Sequence, residues 1–96
     1  MHLKIPYKGS RSEAVSTVKR ALTDGRAQFA DKVQIHTETW AGDTLNFDFT
    51  AQSQRISGTL AVEDGFYVID AKLPLMLRLF EGRIEKEIGE QIKKLQ

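Results

Sequence analysis

Ile56-Ser57-Gly58-Thr59-Leu60-Ala61-Val62-Glu63-Asp64-Gly65-Phe66-Tyr67-Val68-Ile69-Asp70-Ala71-Lys72-Leu73 alternates its large apolar residues on both sides of Asp64-Gly65. That is the period of a strand with one buried face, and an Asp-Gly pair between two such runs is a strong two-residue hairpin signal. A turn at Asp64-Gly65 sets Val62 opposite Tyr67, Leu60 opposite Ile69, Gly58 opposite Ala71 and Ile56 opposite Leu73, so the apolar pairs share one face. Working back, a loop of Ala51 to Gln54 places Phe49 opposite Ile56, Phe47 opposite Gly58 and Leu45 opposite Leu60, with the glycine giving Phe47 room. The first hairpin admits two readings. A two-residue loop at Ala41-Gly42 opposes Glu38 to Leu45, whereas a loop of Ala41 to Asp43 matches Thr37 with Phe47 and Ile35 with Phe49; the second is preferred because it keeps Ile35 beside an apolar partner.

Outward from these four strands, Leu3, Ile5 and Tyr7 alternate with Lys4, Pro6 and Lys8, a half-buried strand that its proline confines to an edge. Its expected neighbour is the strand Phe66 to Leu73. Ser10 and Glu13 stand in the S-x-x-E relation of a helix cap, and Val15, Val18, Leu22 and Phe29 then fall on one helical stripe with Gly25. The stripe carries a helix to Ala30, with Asp24-Gly25 as the alternative stop. A last helix is expected to start with Pro74 at its first position and to present Leu77, Phe80, Ile84, Ile88, Ile92 and Leu95 on one stripe. The element order is β-α-β-β-β-β-α. It predicts an α+β domain over residues 1–96, with an antiparallel sheet and both helices on its apolar face.

Composition excludes more than it implies. Ninety-six residues leave room for one core, and 14 basic against 13 acidic side chains give a net charge of +1, with no long-range field for nucleic acid or an anionic membrane. There is no cysteine, hence no disulfide or thiolate metal site, as suits a cytoplasmic protein. Leu73 to Phe80, interrupted by Pro74 and Arg78, is far short of the roughly 20 residues of a transmembrane helix. Met1 to Gly9 lacks the continuous apolar run of a signal peptide.

The polar face of the sheet offers rows to test for chemistry. One reads His36, Asp48, Ser57, Lys72, the composition of a catalytic triad. In a triad the histidine stands between nucleophile and carboxylate, but here Asp48 is in the middle, and two strand spacings separate Ser57 from His36 by roughly 10 Å. A row of complementary charges explains it better. A second row, Glu38, Asn46, Thr59, Asp70, holds two carboxylates roughly 14 Å apart at the backbone, too far for a glycosidase pair and too few for a closed metal site. With two histidines in the chain there is no zinc-type cluster, and the glycines form no phosphate loop; neither metal nor cofactor is expected. A third row ends in an apolar corner of Trp40, Ala61 and Val68 with Phe66 beside them, read either as ground covered by a loop or as a contact patch. Leu75, Met76 and Leu79 likewise add apolar surface off the last helix's main stripe. Gly82 and Gly89 lie near the opposite side of that helix, facing either solvent or a closely approaching second helix.

Gly42-Asp43-Thr44-Leu45-Asn46-Phe47, then Ile56 to Val62, then Ala71-Lys72-Leu73-Pro74 leading to Phe80-Glu81-Gly82-Arg83-Ile84-Glu85-Lys86-Glu87-Ile88, resemble the polyhydroxyalkanoic acid system protein family. The resemblance covers most of the chain and rests on structural motifs. It implies a cytoplasmic accessory protein of bacteria, associated with genes for polyhydroxyalkanoate storage granules and without established enzymatic activity; no catalytic residues carry over. Members often carry a histidine before the first helix, where this chain has Tyr7-Lys8-Gly9. The element order also resembles the TATA-binding-protein-like and helix-grip folds, which by itself confers no function. Two readings follow, neither catalytic. One is a binding or granule-associated module whose contact surface is Leu75, Met76 and Leu79 or the corner of Trp40, Phe66 and Val68, facing polymer, another protein or a second copy. The alternative is a small carrier holding an apolar ligand between the last helix and the sheet, unless Phe47, Phe49, Tyr67 and Phe80 fill that space.

Overall fold

The computed structural model describes residues 1–95 and contains five strands and three helices: β1 (His2–Pro6), α1 (Arg11–Phe29), β2 (Val33–Ala41), β3 (Thr44–Ala51), β4 (Gln54–Glu63), β5 (Phe66–Lys72), α2 (Leu75–Arg78) and α3 (Glu81–Leu95). The fold is α+β. The strands form one antiparallel sheet in the order β1-β5-β4-β3-β2, with β1 on the edge beside β5 as its proline requires. No helix among the described residues is long and apolar enough to cross a membrane.

The two later hairpins pair as their alternation demands, with Phe47 opposite Gly58, Leu60 opposite Ile69 and Val62 opposite Tyr67. Their turns are tight. Asp64-Gly65 forms the second, with Gly65 at φ +80°, and pairing of Ala51 with Gln54 shortens the other to Gln52-Ser53, both at positive φ (52° and 64°). A Cβ at Gly58 would lie 2.0 Å from the Asp70 carbonyl oxygen, so β4 and β5 approach there more closely than any other residue allows.

The first hairpin departs from the expected register. Ile35 does face Phe49, but a β-bulge follows at His36, after which Thr37 pairs with Asp48, Glu38 with Phe47 and Trp40 with Leu45. The loop is Gly42-Asp43, one residue shorter than the preferred reading. Each residue from Thr37 onward is thereby moved one position along β3. Glu38 and Trp40 turn to the face that carries Phe47 and Leu45. Trp40 is therefore no part of a polar-face corner: it packs against the core and lies under Lys19, whose ammonium is 5.2 Å from the ring centre.

α1 is continuous through Gly25 to Phe29. Ser10 is its N-cap: its Oγ accepts from the Glu13 amide at 3.1 Å and its hydroxyl donates to the Glu13 carboxylate at 3.0 Å. Arg11, in the first turn, pairs with Asp64 at 2.7 Å and Asp43 at 3.7 Å, tying the helix to two hairpin turns. The expected last helix is broken. Pro74 is the N-cap of the short α2 and not a first helical residue, and tight bonds from the Leu77 amide to Pro74 and from the Phe80 amide to Leu77 end that turn before α3 begins. The chain is re-aimed there, so Ile84, Ile88 and Ile92 turn inward while Phe80 is exposed and is no part of the stripe.

The main packed cluster lies toward the Asp64-Gly65 end of the sheet, with Ala71 and Leu73 buried separately along and beyond β5. Ile5, Tyr7, Ala14, Val62, Tyr67 and Ile69 form the buried cluster, flanked by Val15, Val18, Trp40, Ile88 and Ile92. Each fully buried large side chain contributes roughly 1.5–3 kcal/mol. The Tyr7 and Tyr67 rings lie 4.9 Å apart and tilted; Tyr7 donates to the Glu63 carbonyl, and Tyr67 to the Ala14 carbonyl at 3.4 Å.

Candidate functional site

The same periodicity that packs the first half of α1 leaves its second half over open ground. Ala14 is buried, but further along the stripe stand Ala21, Leu22, Gly25 and Phe29, two of them too small to reach the sheet. Below them lie Phe47, Phe49 and Ile56, and Ile84 and Ile88 of α3 close the other side. Between the two helices and this half of the sheet is a cleft of about 640 Å³, within the usual range of roughly 300–1,000 Å³ for small-molecule sites. Both helices therefore lie on one face of the sheet, as expected. The four aromatics that might have filled the space do not. Tyr67 is in the packed cluster and Phe80 is exposed, while Phe47 and Phe49, ring centres 6.1 Å apart, line the cleft as its floor.

The lining is almost wholly apolar. Its charged side chains are Arg26 of α1 and Glu38 of β2, whose Nη1 and Oε2 are 3.2 Å apart. Glu38 was expected on the polar face beside Asn46; the bulge at His36 brings it into the cleft instead, where its side chain is 20% exposed, and Thr39 takes the place beside Asn46. Bulges commonly serve to re-aim a side chain in this way. The sequence held a signal for the cleft itself in the small residues Ala21 and Gly25 on an inward stripe. It held none for the Arg26–Glu38 pair, which a nonlocal contact creates.

On the opposite face three members of the triad-like row stay side by side and His36 leaves the regular pairing. Asp48 neighbours Ser57, and Ser57 neighbours Lys72, but His36 sits in the bulge with its Nε2 2.8 Å from Thr50 Oγ1. Asp48 is taken by Arg55, which donates from Nε at 3.0 Å and Nη2 at 2.7 Å. That bidentate bond holds the Asp48 carboxyl below its ordinary range, partly offset by desolvation, and raises the Arg55 guanidinium in turn. These side chains form no relay from Ser57 through a histidine to a carboxylate. Asp70 of the second row pairs instead with His2.

The remaining contact candidates fall in two places. Phe66 and Val68 are on the face away from the helices, with the Lys4 ammonium 4.3 Å from the Phe66 ring centre and Lys4 paired beside Val68. Leu75, Met76 and Leu79 form an apolar cap at the α2 turn, 77%, 68% and 80% exposed, and Phe80 joins them. A Cβ at Gly82 or Gly89 meets nothing within 4 Å, so no other helix among the described residues approaches either glycine closely.

The family described as "Putative polyhydroxyalkanoic acid system protein" matches residues 1–95. No curated protein and no solved structure matches the chain.

Proposed function

Since the chain belongs to the polyhydroxyalkanoic acid system protein family, we propose that it is a non-catalytic accessory protein of that system, which works by holding an apolar ligand between its helices and its sheet. The observation that carries this reading is the cleft, apolar over nearly all its lining and large enough for a chain-like molecule. A structural cavity of this size left in a small domain forfeits packing contacts, and binding accounts for why it stays unfilled. One antiparallel sheet with α1 and α3 over a single face supports this reading, because the cleft lies between those layers. The neutral fluorophore N-phenyl-1-naphthylamine tests it. Wild-type protein should enhance and blue-shift the probe's emission, and Ala21→Phe, which fills the cleft from α1, should abolish the effect while far-ultraviolet circular dichroism stays unchanged. Equal uptake by that variant would move the site elsewhere.

A second reading is favoured by the α2 cap. Three adjacent large side chains, each more than two-thirds exposed, are what a hydrophobic particle surface or a second copy would engage. Cytoplasmic granules of storage polymer are such particles. A fluorescently tagged copy should then concentrate at granules and become diffuse in cells that lack them; a diffuse signal in both would count against granule association.

A further inference from the structure

We propose that the ligand of the cleft is an apolar chain with an uncharged head that both accepts and donates a hydrogen bond, a hydroxyl above all, held between Arg26 and Glu38. The proposal rests on the cleft reading above and adds the head group. Arg26 can only donate and Glu38, ionised, can only accept. Their contact runs from Arg26 Nη1 to Glu38 Oε2 at 3.2 Å, and a guanidinium has five N–H donors and a carboxylate two acceptor oxygens, so each side chain has capacity for a further hydrogen bond. A hydroxyl satisfies both sides at once, its oxygen accepting from the guanidinium and its proton donated to the carboxylate. An anionic head would gain Arg26 but face Glu38; a cationic one would meet the reverse. The pair is neutral overall, so selection is for hydrogen-bonding capacity over charge.

Two independent features place this pair with intent. Glu38 reaches the cleft only because of the bulge at His36, since regular alternation would have sent it to the opposite face. Arg26 comes from the part of α1 that overhangs the cleft, and the two line it together with Phe47 and Phe49. The polar end is therefore set against an apolar floor, the arrangement that orients a ligand with one wet and one dry end.

Competition against bound N-phenyl-1-naphthylamine at neutral pH, with decan-1-ol, decanoate and decylammonium as competitors of equal chain length, tests the head group. The alcohol should displace the probe at about a tenfold lower concentration than either ion. Glu38→Gln, which leaves Arg26 with an uncompensated charge, should shift the preference to decanoate; Arg26→Gln should shift it to decylammonium. Arg26 is half exposed, so the second variant folds on surface grounds even if the first does not, and a single reversed preference suffices. If the probe binds but the three competitors act alike in wild type and variants, the head-group assignment is overturned and the apolar cleft stands. Failure of wild-type protein to take up the probe at all overturns both.

Discussion

Gly58 sits where two backbones nearly touch, and it is the residue least able to change. An added Cβ would lie 2.0 Å from the Asp70 carbonyl oxygen and 2.7 Å from the Ala71 Cα, neither the end of a flexible side chain. Gly58→Ala should therefore cost about 3 kcal/mol and lower the melting temperature by more than about 10 °C, as read by calorimetry. The turn between β3 and β4 holds the opposite opportunity. Gln52 and Ser53 both occupy left-handed conformations that a side chain disfavours by about 1–2 kcal/mol, so Ser53→Gly should raise stability by about 1 kcal/mol in urea titration. An unchanged midpoint would mean that the local cost is already relieved. The bulge residue His36 shows why residue-scale reading stopped where it did. Alternation offered either Thr37 or Glu38 to the face of Phe47, and hydrophobicity chose threonine; the glutamate is tolerated there because Arg26, remote in sequence, meets it.

At the scale of elements, α1 was legible along its whole length because its cap and stripe agree, whereas the last helix was not. The stripe from Leu77 to Leu95 runs without a break in sequence, and the interruption at Leu79 and Phe80 depends on tight backbone bonds that carry no side-chain signature. The break explains the exposed cap. Leu75 and Leu79 contribute little to the fold, so Leu75→Glu with Leu79→Glu should leave the thermal transition within about 2 °C of wild type, given that surface changes are usually within about 0.5 kcal/mol. The same variant should lose any self-association or particle binding in sedimentation; retention would remove the cap from consideration as a contact. Within α3, Gly89 is helical with nothing near its missing Cβ. Gly89→Ala should accordingly stabilise the protein by about 0.5–1 kcal/mol in chemical denaturation, and a loss instead would reveal a close neighbour, such as a second subunit, in solution.

The whole molecule is built unevenly, a packed end around the two tyrosines and an open end around the two phenylalanines. Strand order, both later registers and the common face of the helices could be derived, since each follows from which residues avoid water. How completely a space is filled was only hinted at, by the small Ala21 and Gly25 on the stripe of α1, because it also depends on the height at which α1 and α3 cross the sheet. The packed end holds a group that should respond to alkali. Burial, and then the proximity of Tyr7, raises the Tyr67 phenol above its usual value of 10.0. Stability linked to the protonated phenol is thus complete below that value and is lost as pH rises through the higher folded value, where ionisation must occur in a dry site. Alkaline unfolding should coincide with Tyr67 ionisation by ultraviolet absorbance, and Tyr67→Phe should move the unfolding midpoint to higher pH; an identical midpoint would place the sensitive group elsewhere.

The bulge at His36 has a consequence for the company this chain keeps with its own copies. β2 is an outer strand, and a straight outer strand of its length would present an unbroken ladder of amides and carbonyls for another sheet to extend. The extra residue interrupts that ladder in mid-strand and adds local twist, while at the far margin of the sheet Pro6 withholds a donor. Both margins are thus poor templates for fibrillar growth. The uncovered apolar area of this fold thus lies beside open strands that are ill suited to adding another.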